Sequence, residues 1–156
     1  MDIGLNVLDN LRVSIGENIK DILGKLDDME IQYIIPYKNT EDMRDSSYIV
    51  YIEKFGMELR LRYNRIIFIK TTNTELNYIM SIENKYPALV IHEIKSKLME
   101  RFEMSSKNDI YIDRFEAKTF NSVVTIPYNK TSKVKITLVM GNDNSIYLEK
   151  IELIHK

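Results

Sequence analysis

The sequence predicts an α+β protein built from antiparallel meander sheet or sheets with helices on one face. Three observations predict it. Runs with an apolar residue at every second position come in groups. Stretches with apolar residues at helical spacing precede those groups. Finally, Ile35-Pro36-Tyr37-Lys38-Asn39-Thr40 nearly recurs as Ile126-Pro127-Tyr128-Asn129-Lys130-Thr131. Each copy ends a β-like run downstream of a helix-like segment, which raises a tandem α-β4 pseudo-repeat with half-units 1–72 and 73–156. Residues 1–156 are nevertheless read as a single α+β domain, because a half-unit of that size has a marginal core alone.

Residues 6–26 place Leu8, Leu11, Ile15, Ile19, Ile22 and Leu26 at helical spacing and predict an amphipathic helix, with Asn6 or Asp9 as its cap. Glu30 to Tyr37 reads as a strand that stops at Pro36, since proline has no N–H for a ladder. Asn39 to Ser46 is a polar loop. Ser47 to Lys54 is a strand, and Phe55-Gly56 a tight turn. Met57, Leu59, Leu61 and Tyr63 then alternate with Glu58, Arg60 and Arg62, the pattern of a strand with one wet face. A turn at Asn64-Arg65 leads into a strand over Ile66 to Thr71.

Thr72 and Glu75 have capping-box spacing and predict a helix over 73–83. Pro87 opens a second helix, 87–103, with Val90, Ile91, Ile94, Leu98 and Phe102 on one face. Asp109 to Phe115, Ser122 to Tyr128, Lys133 to Met140 and Ser145 to Ile154 read as strands, the last two joined by a hairpin turn at Gly141-Asn142-Asp143-Asn144.

Composition excludes several chemistries. The absence of cysteine removes disulfides, thiolate-held metals and thiol catalysis, and fits a cytoplasmic location. The N-terminus has no basic, apolar leader pattern, and no apolar run approaches the ~20 residues of a membrane span. The five glycines (Gly4, Gly16, Gly24, Gly56 and Gly141) lie too far apart to cradle a phosphate. No cofactor is expected.

Two histidines remain. His92-Glu93 opens like a zincin motif, but Ser96 stands where the second ligand belongs, so no metal site is assigned. His155 is next to last, where chains fray. Asp109 and Asp113 share alternate spacing, and with His92 they make the best case for a small metal-dependent hydrolase. With so many surface acids, solvation is the simpler account of them, and no catalytic residue is assigned.

Two surface patches remain as working candidates. The first is an acidic edge: Asp27, Asp28, Glu30, Glu41, Asp42 and Asp45, against only Lys38 and Arg44. Residues 1–47 hold 10 acids and 5 bases, while the rest of the chain is net basic. Acids at the C-terminal end of the first helix oppose its macrodipole, so local folding gains nothing from them and a basic partner protein would. The second is a basic strand face of Lys54, Arg60, Arg62, Tyr63 and Arg65, with Tyr48 and Tyr51 nearby, suited to nucleic acid. It lacks the glycine–aromatic core of an RNA-recognition motif, and the chain is not basic overall.

The expectation is therefore a non-enzymatic cytoplasmic protein that binds another protein, of the inhibitor, immunity or chaperone type found in bacteria and phages. A nucleic-acid-binding module and a metal-dependent hydrolase are the alternatives.

Overall fold

The computed structural model describes residues 2–36, 47–83, 86–104, 106–116 and 121–155. They are α+β, with antiparallel strands throughout. The chain forms two compact units, Ile3–Leu76 and Asn77–Lys156. Among the described residues no helix is long and apolar enough to cross a membrane.

The first unit begins with a correction. Residues 6–26 are not one helix: β1 (Gly4–Leu8) and β2 (Leu11–Ser14) form an antiparallel hairpin turned at Asp9-Asn10. Leu8, Leu11 and Ile15 satisfy a helical period, but Ile3, Leu5, Val7, Leu11, Val13 and Ile15 also alternate, and these are the buried set. Leu8, which only the helical stripe would bury, is 39% exposed. A short segment that fits both periods is decided by its turn residues and by tertiary packing.

Only the second half of the predicted stripe is helical. Helix α1 (Ile19–Asp28) buries Ile19, Ile22 and Leu26, and its cap is Asn18, whose side chain accepts from the Lys20 N–H at 2.9 Å. The helix ends in a Schellman motif. Ile31 N–H donates to Leu26 C=O at 2.9 Å and Glu30 N–H to Asp27 C=O at 3.1 Å. Glu30 takes the left-handed position, φ 58°, where glycine is usual.

The strand expected over Glu30–Tyr37 shrinks to one bridge, Ile34 opposite Tyr51. Tyr37, with the expected loop at Asn39–Ser46, lies outside the described residues. Next comes a three-stranded meander: β3 (Ser47–Ile52), β4 (Met57–Arg62) and β5 (Arg65–Thr71). Lys54 belongs not to β3 but to a 3-10 turn, Glu53–Phe55, which closes on Gly56 at φ 56°. A side chain there would meet Thr72 Oγ1. The β4–β5 turn is Tyr63-Asn64, one residue earlier than expected, with both residues left-handed (φ 52° and 63°) as a two-residue hairpin loop requires. Tyr48, Val50, Ile52, Met57, Leu59, Leu61, Ile66 and Ile69 form the buried face.

The expected 73–83 helix is a single turn, α2 (Thr74–Asn77), which spans the boundary between the units, and the second unit continues with β6 (Tyr78–Ser81). The cap of α2 is Asn73, which accepts from the Glu75 N–H at 2.9 Å. One helical turn gains little by itself, whereas β6 gains a backbone ladder with Ser145–Tyr147. Helix α3 (Pro87–Arg101) buries Val90, Ile94 and Leu98, leaves Ile91 half-buried, and ends with Glu103 left-handed at φ 51°. Strands β7 (Tyr111–Glu116), β8 (Asn121–Pro127), β9 (Ser132–Met140) and β10 (Ser145–His155) complete a sheet ordered β6-β10-β9-β8-β7.

The near-repeat occupies unlike places. Ile35-Pro36 is exposed irregular backbone between α1 and β3, while Ile126-Pro127 ends β8, the second strand after α3, with Ile126 buried. Ile35-Pro36 and Ile126-Pro127 thus differ in setting, residues 37–40 lie outside the described residues, and the pseudo-repeat is not confirmed.

Candidate functional site

The most distinctive surface of the first unit is an open groove of about 410 Å³ at the end of the β3–β4 pair. Its lining includes Ile34, Tyr51, Ile52, Met57, Glu58 and Lys70. The local sequence explains why it exists. Ile34 and Tyr51 are opposed, so Pro36 would face Ile49 in the next bonded pair, and proline has no N–H to give. In the other direction Ile31 is held by the α1 terminus, and Glu53 turns away into the 3-10 turn. Among the described residues the segment therefore makes one bridge to the sheet. Ile34 stays 54% exposed and Tyr51 38% exposed, instead of being covered as in a full fourth strand.

Ile34 also borders a second, shallower depression lined by Asp27, Glu30, Ile31, Gln32 and Tyr33. Asp27 and Glu30 stand at the C-terminal end of α1, beside exposed Asp28. The helix dipole disfavours negative charge there, and Glu30 also holds a conformation that costs a non-glycine residue about 1 kcal/mol. The Tyr33 hydroxyl stands 3.5 Å from Asp27 Oδ2. Partial burial and that carboxylate push the phenol above its ordinary pKa. The two depressions thus form an apolar groove with an acidic shelf. Among the described residues they are lined together by Asp27, Glu30, Glu53 and Glu58 against the basic Lys70.

The outer face of the meander carries a linked row. Tyr51 is opposite Glu58, and Glu58 opposite Lys70. Tyr51 hydrogen-bonds Glu58, whose charge raises the phenol's pKa, and Arg60 opposes that effect. Arg60 Nε donates to Glu58 Oε2 at 2.9 Å, and its guanidinium lies 4.3 Å from the Phe68 ring centroid. A cation so placed stacks on its own sheet.

The predicted basic face is therefore divided. Arg60 is exposed but engaged, and Arg65 donates to the Gly16 C=O at 3.2 Å. Arg62 and Tyr63 are exposed at the turn, and Lys54 is exposed near the groove. Tyr48 points to the other side: it is buried and its hydroxyl donates to Asn64 Oδ1 at 2.9 Å, the pleat having put it opposite Leu61. Of the acidic edge, Asp27, Asp28 and Glu30 come together, and Glu41, Asp42 and Asp45 lie outside the described residues.

The hydrolase candidates do not converge among the described atoms. His92 is exposed, with Nε2 3.4 Å from Lys107 Nζ, and an ammonium there repels any cation the ring would bind. Asp109 lies in a 3-10 turn, Lys107–Asp109. Asp113 is a β7 residue whose side chain lies outside the described atoms. Among the described residues no three His, Cys, Asp or Glu side chains group as metal ligands.

Sequence reasoning found the shelf and missed the groove. Ile34 and Lys70 read as ordinary strand residues, and Tyr51 as a neighbour of the basic face. The available signal was Ile34-Ile35 set directly before Pro36: two large apolar residues in a segment that cannot be fully paired. No protein-family model, no curated protein and no solved structure matches the chain.

Proposed function

We propose that the protein is a non-enzymatic binding protein that holds a partner protein on the Ile34 surface. The observation that carries this reading is the junction at Ile34, where exposed apolar side chains meet carboxylates that local folding does not reward. Apolar anchors inside a polar, like-signed rim are the anatomy of a transient protein interface. Within this reading the protein works in a reducing cytoplasm, which suits a chain without cysteine. It acts as an inhibitor, immunity-type or chaperone-type protein of a bacterium or phage. No chemistry is asked of it.

A photo-crosslinking residue at position 34, compared with one at exposed Tyr111, tests the docking surface. Crosslinking of one defined protein from position 34 and not from 111 supports it; equal or no crosslinking removes it. The nucleic-acid reading is supported less, because Arg60 and Arg65 already have partners within the protein. It predicts a steeply salt-dependent affinity for RNA or DNA that Arg62→Ala abolishes.

A further inference from the structure

We infer that the occupant of the groove is a basic peptide segment of a partner, which inserts one large apolar side chain beside Ile34 and Tyr51 and lays its cationic flank along Asp27 and Glu30. The inference rests on the protein-binding reading and specifies the partner's chemistry.

Three observations select this occupant. The groove offers the exposed side chains of Ile34 and Tyr51 beside the buried Ile52 and Met57, which suits an aliphatic or aromatic anchor. Among the described residues, the lining of groove and shelf has four carboxylates against one ammonium, so a cationic flank gains from both while an acidic one is repelled. Glu58 already has Arg60 and Tyr51 as partners, which leaves Asp27, Glu30 and Glu53 as the carboxylates to meet incoming charge. The same distribution argues against a second copy of this chain. A two-fold contact centred on the shelf would set carboxylates against carboxylates, since an isologous interface brings the same patch of both subunits together.

The test uses the full chain and short fluorescent peptides, each with a single Leu or Phe flanked by Lys and Arg. Matched peptides replace the anchor with Ser or the flanks with Glu, and binding is read by anisotropy at low and high salt. The expected result is saturable binding of the basic, anchored peptides that weakens with salt. Loss of the anchor or reversal of the flanks should cost about tenfold or more. Ile34→Asp should cost as much. Asp27→Lys and Glu30→Lys should weaken binding and flatten its salt dependence. All three positions are solvent-facing, and melting temperatures no lower than wild type verify that the variants fold.

Absence of binding by every basic peptide, binding blind to flank charge, or full binding by Ile34→Asp would each overturn the inference. So would sedimentation equilibrium showing a concentration-dependent dimer that Ile34→Asp dissolves, which would make the occupant a second copy. Peptides that fail while position 34 still crosslinks one defined protein would sink the basic segment and leave protein binding standing. Failure of the crosslink itself would remove the docking surface.

Discussion

Ile34 and Tyr51 exchange both of their backbone hydrogen bonds, each 2.8 Å long, and among the described residues the ladder they begin goes no further. That single rung holds an apolar segment against β3 without covering it. The groove is the consequence, and Pro36 sets its limit.

Pro36→Val restores the N–H that the next rung needs. The new residue then donates to the Ile49 C=O and accepts from the Ile49 N–H. One hydrogen bond adds about 1 kcal/mol net, and loss of proline costs a comparable amount through unfolded-chain entropy. Melting temperature should therefore barely move. Amide exchange at Ile49 should slow clearly. Unchanged exchange there would mean that something other than the missing N–H stops the strand.

Gly24 lies on the exposed side of α1, and a methyl group added there meets nothing within 4 Å. Gly24→Ala should stabilise the protein by about 0.5–1 kcal/mol in urea melts. A destabilised variant would show that α1 is not a regular helix at this position.

Glu30 and Glu103 both occupy the left-handed position after a helix, at φ 58° and 51°. Replacing either with glycine should raise stability by about 1 kcal/mol. The two should then part. Glu30→Gly removes a shelf carboxylate and should slow partner association, whereas Glu103→Gly should leave it unchanged. Stopped-flow association rates decide the matter; equal effects from both variants would separate the shelf from binding.

Tyr147 donates to Asp143 Oδ2 at 3.0 Å. That bond, with a further one from the Ser145 N–H, lowers the carboxyl pKa, while the carboxylate and then burial raise the phenol's. The depressed acid contributes stability that is full above its unfolded pKa of about 3.9 and is lost as pH falls through its folded value. The raised phenol contributes stability that is full below about 10 and is lost as pH rises through its folded value. Tyr147→Phe should flatten both ends of the stability profile, as followed by thermal melts across pH. A profile identical to wild type would dissolve the pair.

The meander was legible because β4 alternates cleanly between two β-branched and aromatic runs bounded by turn residues, β3 and β5, and α3 because Pro87 and a long apolar stripe agree. The first 15 residues were not, since Leu8, Leu11 and Ile15 serve two periods and only burial separates them. Strand β6 was hidden behind a capping signal at Thr72 and Glu75, and what makes it a strand is its partner Ser145–Tyr147, far along the chain. For the site, the acids of the shelf were readable as charges without a local use. The groove was not, because it arises from a bond that Pro36 fails to make, and which residue Pro36 would face depends on the register with β3.

The central claim is that Ile34 is the anchor of the working surface. Quantitative recovery of the partner crosslinked at position 34, repeated with wild-type protein and Ile34→Asp at equal concentration and equal melting temperature, with the crosslinking residue moved to position 35 for both, tests it most directly. Ile34→Asp should lose about nine-tenths or more of the adduct, the tenfold effect of a buried anchor. Undiminished adduct from a folded Ile34→Asp protein would contradict it.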